Sequence, residues 1–303
     1  MEQITKMEKI ENCPICDSKE SSKILECVDD TVSKEKFSVV RCVKCGFNYT
    51  NPRPNENELY KYYESKDYVS HSDTNKGLIN SLYHIVRKHT LKSKVKLINS
   101  WSKKGSILDI GSGTGHFLKA CNENGWKTTG IEPSEKTRNT AIKTLNLDIR
   151  EESDIERLDH KTFDVITMWH VLEHVPRLNQ RIEEIKNLLK NEGTLFVAVP
   201  NRTSYDAKIY QENWAGYDVP RHLYHFSPED IKNLFKKHEF EVVEIKPMIF
   251  DSFYVSMLSE KIKTGKAKFI KGAVNGLISN VLSTKNANTS SSQIYILKRN
   301  KAK

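Results

Sequence analysis

The alternation of apolar and polar positions changes character near residue 105. From there to the C-terminus, short apolar runs alternate with segments of helical spacing, which is the pattern of strands linked by helices. The predicted strands are 107–110, 127–131, 147–150, 163–168, 194–199, 241–245 and 293–298. Helices are predicted at 115–124, 136–145 and 177–190, and another begins at Ser227, a favourable N-cap that is followed by proline. The pattern predicts an α/β, doubly wound domain over residues 105–303.

The chain before residue 105 follows different patterns. Residues 78–100 carry apolar side chains at roughly helical spacing, so we expect residues 55–104 to form a helical connector or lid against the next domain. Asn51-Pro52-Arg53-Pro54 interrupts the chain and predicts the end of a separate N-terminal module at residue 54.

Two cysteine pairs define that N-terminal module. They are Cys13-Pro-Ile-Cys16 and Cys42-Val-Lys-Cys45, with 25 residues between them. Each C-x-x-C places two thiolates on one side of a tight turn, and two such turns complete a tetrahedral four-sulfur site. We therefore predict a zinc ribbon over residues 1–54, whose zinc is structural because four thiolates leave no open position. The alternative is a pair of redox-active motifs, which would require a βα pattern that does not follow either pair.

A glycine-rich loop follows the first predicted strand, in Ile107-Leu-Asp-Ile-Gly-Ser-Gly-Thr-Gly115. Glycines at 111, 113 and 115 allow a sharp turn and a close approach to a ligand. A dinucleotide fingerprint would need a further glycine where His116 stands, and Asp109 would repel a pyrophosphate. Glu132 ends the second strand, where a carboxylate can accept hydrogen bonds from ribose hydroxyls. A nucleoside that carries positive charge and no phosphate fits this loop, and S-adenosylmethionine (SAM) is such a ligand.

These motifs resemble the class I SAM-dependent methyltransferases. Residues 107–115 are similar to the first motif of that family, residues 130–133 to the second, and residues 163–174 to its fourth strand and the helix after it. The resemblance implies a Rossmann-like, seven-stranded sheet. It also implies that Asp109, Gly111 and Gly113 lie near the methionine end of SAM, with Gly115 in the same cofactor-binding loop. Glu132 is implied near the ribose, Asp154 near the adenine, and Met168 with its backbone facing the cofactor. The alternative is a Rossmann-like domain with another ligand.

The segment Trp169-His-Val-Leu-Glu-His174 is the first candidate for the acceptor side. On a helix, His170, Glu173 and His174 would share one face. The segment resembles one in ubiquinone-type O-methyltransferases, where such carboxylates and histidines are associated with a divalent metal, but His170 replaces a Glu of that pattern. We expect His170 to lie near the transferred methyl. For His174, the alternative to metal binding is a purely structural role, in which it is hydrogen-bonded into the core.

The second candidate is Val219-Pro-Arg-His-Leu-Tyr-His-Phe-Ser-Pro228. It resembles a segment of nucleotide-sugar C-methyltransferases that carry a zinc ribbon, and the resemblance implies that His222 acts as a base. Arg221 precedes it where a carboxylate is expected, and anchoring of the loop is the alternative role for His222. Tyr68, in the Tyr-rich connector, is a further candidate as part of a lid over the site.

The net charge of +9 belongs to the C-terminal fifth of the chain. Residues 255–303 contain nine Lys, one Arg and one Glu, so the preceding 254 residues are neutral overall. Between the last two strands, residues 249–291 form an insertion with an apolar stripe and lysines at its start, which we expect to be helical. It is predicted to cap the domain, to lie on an anionic membrane surface as a basic amphipathic helix, or to contact a phosphate-bearing partner. No apolar stretch near Met1 resembles a signal peptide, so a cytoplasmic protein is expected.

The leading function is SAM-dependent methylation of a small molecule: a sugar, a sugar nucleotide, or a precursor of a cell-surface glycan or lipid. The alternative is an RNA methyltransferase whose ribbon presents the nucleic acid, which the neutral catalytic region disfavours. A SAM-sensing domain without catalysis is the third hypothesis, and the intact glycine motif argues against its degeneration.

Overall fold

The computed structural model describes residues 5–63, 78–266 and 268–300. Its N-terminal part is built of short strands and turns. The strands are β1 (Met7–Glu8), β2 (Ser21–Val28), β3 (Lys36–Cys42), β4 (Asn48–Thr50) and β5 (Arg53–Pro54). β2, β3 and β4 form an antiparallel sheet, and β1 pairs with β5. A 3-10 turn at Leu59–Tyr63 and the long helix α1 (Leu78–Trp101) lead to the larger domain.

The larger domain alternates strands and helices as its pattern predicts. Its first half comprises β6 (Ser106–Ile110), α2 (His116–Glu123), β7 (Lys127–Ile131), α3 (Glu135–Leu145), β8 (Ile149–Arg150), β9 (Phe163–Trp169) and α4 (Leu178–Leu188). Its second half comprises β10 (Leu189–Pro200), α5 (Tyr205–Tyr210), β11 (Tyr224–His225), α6 (Pro228–Lys237), β12 (Phe240–Pro247), α7 (Asp251–Thr264), α8 (Phe269–Lys285) and β13 (Ser292–Arg299). The Ser227 capping box that starts α6 is present, with Pro228 in the first turn.

Among the described residues, seven strands form the main sheet in the order β12-β13-β10-β9-β6-β7-β8. β13 runs antiparallel to both of its neighbours, and the strands from β10 to β8 are parallel. The apolar runs of β9 and β10 are buried because helices cover both faces of a parallel sheet. β7 follows β6 in sequence and lies on one side of it in the sheet, whereas β9 lies on the other side. The strand order therefore reverses at β6, and a crevice opens between the carboxyl ends of β6 and β9. The predicted Rossmann-like, seven-stranded sheet is confirmed.

The N-terminal sheet continues into the larger domain. β11 adds antiparallel to β4, with Tyr224 opposite Tyr49 and His225 opposite Asn48. The sheet order is therefore β11-β4-β3-β2 in the described part of the chain. The predicted acceptor segment, residues 219–228, thus contributes a strand to the cysteine-bearing sheet.

One local prediction is wrong. Residues 169–174 do not form a helix: Trp169 still belongs to β9, and only Leu172–His174 form a 3-10 turn. His170 has a φ of +58°, a left-handed conformation that interrupts a right-handed helix. The predicted helix face shared by His170, Glu173 and His174 therefore does not exist.

The C-terminal insertion is helical, as expected, but it contains two helices. α7 and α8 pack against each other as a hairpin between β12 and β13. Within the described residues, no helix combines the length and apolarity needed to cross a bilayer.

Candidate active site

The glycine loop between β6 and α2 forms a cradle at the carboxyl end of β6. Gly111, Gly113 and Gly115 have φ values of +72°, +54° and +77°. A Cβ on Gly111 would lie 2.4 Å from Cγ2 of Val171, so the loop packs closely there. A Cβ on Gly113 would meet no atom of the described residues within 4 Å. Gly113 therefore faces open space in which a ligand can approach the backbone.

Glu132 closes the far side of this cradle. Its Oε2 accepts a hydrogen bond of 2.8 Å from the Gly113 N–H, and its Oε1 accepts one of 2.9 Å from Ser134 N–H. Burial raises the pKa of Glu132, while these two hydrogen bonds oppose the shift. The carboxylate is held at the end of β7 beside the loop, so it can receive hydroxyl donors from a nucleoside.

Asp109 lies at the floor of the cradle and is buried. Its Oδ1 accepts a hydrogen bond of 2.5 Å from Thr167 Oγ1 on the neighbouring strand β9. Burial raises the pKa of Asp109 to about 7, against the opposing effects of Thr167 and the positive charge of Lys94. A cationic ligand in the cradle would favour the ionised carboxylate.

Lys94 is a site residue that the sequence did not reveal. It projects from α1, and its Nζ lies 4.2 Å from the centre of the Trp169 ring, at cation–π distance. Burial lowers the pKa of Lys94 to about 8, although the charges of Asp109 and Asp251 act in the opposite direction. In the sequence Lys94 is one of several lysines on a helix, so nothing distinguishes it there.

A histidine cluster lies beside the 3-10 turn after β9. The rings of His174 and His222 meet edge to face with centroids 4.6 Å apart. Ligand atoms of Glu173, His174 and His222 all lie within 4.8 Å of one another. Glu173 is fully buried, and its backbone oxygen accepts a hydrogen bond of 2.8 Å from Leu223 N–H. The two histidine-bearing segments predicted from the sequence are therefore in contact.

The hydrogen-bond partner of His222 fixes the tautomer of its neutral ring. Its Nδ1 lies 2.8 Å from the carbonyl oxygen of Gly216, and a carbonyl can only accept, so Nδ1 carries a proton. In that tautomer Nε2 is the nitrogen without a proton, and it lies 3.9 Å from Asp218 Oδ2. Burial would raise the pKa of Asp218, but the hydrogen bonds and the positive charge of Arg221 oppose burial, and the pKa is lowered. The sequence comparison expects a carboxylate directly before the histidine, where this chain has Arg221. Asp218, four residues before His222, supplies a carboxylate beside His222 instead.

His174 is held in its neutral form. Burial is the main cause that lowers the pKa of His174, to about 4. Its Nδ1 lies 2.9 Å from Tyr63 Oη and 3.1 Å from the Arg221 oxygen. Tyr63 belongs to the predicted connector. Tyr68, the residue proposed there from the sequence, lies outside the described residues.

His170 faces the same crevice from the end of β9. Its Nδ1 lies 3.3 Å from Glu173 Oε1, and its Nε2 lies 3.8 Å from Asp251 Oδ2 at the start of α7. Burial would lower the pKa of His170, but the negative charges of Asp251 and Glu173 outweigh burial and raise it. The C-terminal hairpin therefore contributes a carboxylate to the wall of the site.

The remaining predicted cofactor residues have less distinctive surroundings. Met168 is fully buried in β9, beside Ile110 of β6. Asp154 lies in the 3-10 turn after β8, where it forms an ion pair of 2.9 Å with Arg157. In that turn, Glu152 acts electrostatically on Glu132.

The four cysteines lie together at the C-terminal end of β3, where Cys42 is the last residue of the strand. Cys13 Sγ lies 3.5 Å from Cys45 Sγ, and Cys16 Sγ lies 3.5 Å from Cys42 Sγ. All four sulfurs lie within 4.8 Å of one another, and they form no disulfide. A tetrahedral site with Zn–S bonds of about 2.3 Å needs sulfurs about 3.8 Å apart, so the arrangement fits such an ion.

Comparison with known proteins agrees with this fold and crevice. Residues 83–245 match the family model described as "Methyltransferase domain", so the chain belongs to that family. It is a class I SAM-dependent methyltransferase, and SAM is its cofactor.

Individual relatives show how far the similarity extends. The ubiquinone biosynthesis O-methyltransferase of Rickettsia typhi is 26% identical over 212 residues, which cover 65% of this chain and 84% of that protein. Two solved structures share the fold. Magnesium protoporphyrin IX methyltransferase from Synechocystis has a TM-score of 0.54 at 14% identity and covers 81% of this chain and 100% of its own. Phosphoethanolamine N-methyltransferase 2 from Haemonchus contortus has a TM-score of 0.53 at 15% identity, and the match covers 84% of this chain and 63% of that one.

Proposed function

We propose that the protein methylates a nucleophilic atom of a small sugar-class molecule, namely a sugar, a sugar nucleotide, or a glycan or glycolipid precursor. The observation that carries the proposal is the position of His222. Its Nε2 has no hydrogen-bond partner among the described residues, its Nδ1 is held by the Gly216 carbonyl, and the ring lies against Glu173 and His174. The similarity of residues 219–228 to nucleotide-sugar C-methyltransferases supports this class of acceptor. A phenolic acceptor is the alternative suggested by the names of the ubiquinone O-methyltransferases.

The cofactor residues in this proposal are those that surround the glycine loop. Gly111, Gly113 and Gly115 provide the backbone surface against which SAM binds. Asp109 faces the positively charged methionine end of SAM, and Glu132 accepts hydrogen bonds from the ribose hydroxyls. Asp154 and Met168 complete the adenine side and the floor. Bound SAM would supply a methyl group on a sulfonium: a nucleophile in line with the carbon–sulfur bond would take the methyl group, and S-adenosylhomocysteine would leave.

His222 removes the proton that the acceptor must lose. As the acceptor atom forms its bond to the methyl carbon and the carbon–sulfur bond breaks, the proton passes to His222 Nε2. The resulting imidazolium lies near two negative charges, the buried carboxylate of Glu173 and the carboxylate of Asp218. Both carboxylates stabilise the charged form, so the proton transfer is favoured where it occurs.

His170 and Tyr68 have supporting roles in the proposal. His170 lies between Glu173 and Asp251, so it can donate a hydrogen bond to the acceptor from the β9 side. Tyr68 stays a prediction for the lid.

The proposal also includes the organisation of the chain. Residues 1–54 form a zinc ribbon with zinc held by Cys13, Cys16, Cys42 and Cys45. Residues 55–104 form the connector, and residues 105–303 form the methyltransferase domain with its insertion at 249–291. The ion has a structural role, because it stabilises the sheet to which β11 and the backbone of His222 are attached.

The test is formation of S-adenosylhomocysteine with a panel of sugar nucleotides, free sugars, phenols and a short RNA. The protein should turn over a sugar-class acceptor, and His222→Gln should lower kcat by about 10²–10⁴-fold with unchanged SAM affinity. His160→Gln is the matched control because His160 is exposed and lies outside the crevice. Turnover of only phenols or RNA, or full activity of His222→Gln, would refute the proposal.

A further inference from the structure

The helix α8 has an inverted distribution of polarity. The side that faces the protein carries small and polar residues, and the side that faces water carries large apolar ones. The exposed apolar residues, here called the α8 apolar face, are Ile270, Val274, Leu277, Ile278, Val281 and Leu282. Ile270 is 84% exposed, Leu277 56% and Val281 53%. Single exposed apolar residues are ordinary, but a contiguous stripe along four helical turns is not.

Close packing on the inner side of α8 explains why its apolar side points outward. Gly272 and Gly276 touch α7: a Cβ on either would lie 2.8 Å from the Cα of Met257 or of Phe253. Two helices approach so closely only through small residues, and such small-residue contacts spaced by four are typical of helices that pack in lipid. The hairpin is thus held together without the apolar face, which stays available for another surface.

Hydrogen bonds also fix this orientation. Asn280 Oδ1 accepts a hydrogen bond of 2.8 Å from Ser252 Oγ, and Asn275 Nδ2 donates one of 2.7 Å to Tyr210 Oη. Ser279 Oγ lies 3.3 Å from Asp206 Oδ1. Rotation of α8 to bury its apolar face would break these bonds and leave buried polar groups unpaired. The exposed apolar stripe is therefore a stable property of the fold.

The charges around the α8 apolar face select its partner. Lys263, Lys266 and Lys268 lie exposed where α7 turns into α8. The single acidic residue from position 255 to the C-terminus is Glu260, and it is buried. Two copies of this basic face would repel each other, whereas a surface that is apolar inside and negatively charged outside complements it.

We infer that the α7–α8 hairpin docks the enzyme on an anionic membrane surface, with the α8 apolar face inserted among the acyl chains and the lysines at the headgroups. The inference depends on surface chemistry alone and does not require the proposed acceptor. Asp251, the first residue of α7, lies 3.8 Å from His170, so the docking element also borders the active site. A docked enzyme would work next to the membrane, where glycolipid precursors are accessible.

The experiment is cosedimentation of the full chain with vesicles of phosphatidylcholine, with or without about 30% phosphatidylglycerol. Wild-type protein should bind the anionic vesicles, and binding should weaken as salt is raised. Leu277→Ser/Val281→Ser should weaken binding at least about tenfold. Lys266→Gln/Lys268→Gln should weaken it by roughly thirtyfold on anionic vesicles only.

Matched variants on α3 provide the controls. Ile142→Ser removes an exposed aliphatic side chain from another helix, and Lys136→Gln/Lys143→Gln removes two exposed lysine charges there, so both should bind like wild type. As a second readout, Leu277→Trp fluorescence should shift to the blue and be quenched by brominated lipids. No binding by wild type, or unchanged binding by Leu277→Ser/Val281→Ser, would overturn the inference. A dimer in light scattering that this double variant converts to monomer would assign the face to a second copy and overturn it as well.

Discussion

Arg221 and Asp29 are joined by a buried ion pair across 192 positions of sequence. Arg221 Nη2 lies 3.0 Å from Asp29 Oδ1, and both side chains are excluded from water. Asp29 also accepts hydrogen bonds from the backbone N–H groups of Thr31, Val32 and Ser33 in the turn between β2 and β3. Arg221 precedes His222, the proposed base, so this pair fixes His222 to the cysteine-bearing sheet.

Breaking this pair is expected to destabilise the protein and to impair catalysis. Arg221→Met leaves the Asp29 carboxylate buried without its partner, so the free energy of unfolding should fall by about 3–5 kcal/mol. Denaturant unfolding measures the change, with Arg177→Met as control because its ion pair with Glu56 is exposed and contributes at most about 1 kcal/mol. Equal effects of the two substitutions would contradict the assigned role of Arg221.

The same pair predicts how stability depends on pH. The pKa of Asp29 is lowered because hydrogen bonds from Ser33 and the charge of Arg221 outweigh the effect of burial. A carboxyl with a lowered folded-state pKa stabilises the fold above its unfolded pKa of 3.8, and the contribution is lost as the pH falls below that value. Unfolding free energies of wild type and Asp29→Asn should therefore converge on acidification. A constant difference down to about pH 3 would argue against this linkage.

Gly113 is predicted to be required for the cofactor and dispensable for the fold. Gly113→Ala places a methyl group in the open cradle, so the SAM dissociation constant should rise at least about tenfold. Gly265→Ala is the matched control, since Gly265 also has a positive φ (+69°) and an added Cβ would meet no described atom within 4 Å, but it lies at the end of α7. Both variants should lose about 1 kcal/mol of stability, whereas SAM titration should separate them. Similar SAM affinities would mean that Gly113 does not border the ligand.

Asp109 is predicted to couple SAM binding to protons. Its pKa is raised to about 7 by burial, so part of the population is protonated in the free enzyme at neutral pH. A cationic ligand favours the ionised carboxylate of Asp109. The affinity for SAM should therefore increase as the pH rises to about 7, and SAM binding below about pH 7 should release protons. Titration calorimetry in buffers of different ionisation enthalpy measures the release. Asp109→Asn should abolish it, and an unchanged release would assign the proton to another group, such as Lys94.

Loss of the proposed zinc is expected to inactivate the enzyme and to leave the SAM pocket intact. Cys45→Ala should lose zinc, which is measured as metal content after dialysis, and should lose turnover because β4 no longer supports β11 and His222. Cys27→Ala changes a buried cysteine of the same sheet that lies outside the four-sulfur cluster, and it should keep its zinc. Full activity of zinc-free Cys45→Ala would show that the ribbon is not needed to hold His222.

The sequence by itself determined the features that depend on short stretches of chain. The glycine loop with Asp109 and Glu132, the two C-x-x-C turns and the order of strands and helices all follow from local spacing, because backbone geometry links each pattern to one local structure. The tertiary structure decided what long-range contacts control. A strand of two residues has no periodicity, so the pairing of β11 with β4 could not be predicted, and neither could the approach of Lys94 to Trp169. The left-handed backbone of His170 and the outward apolar face of α8 belong to the same group, because tertiary packing against neighbouring segments selects them over the local helical preference.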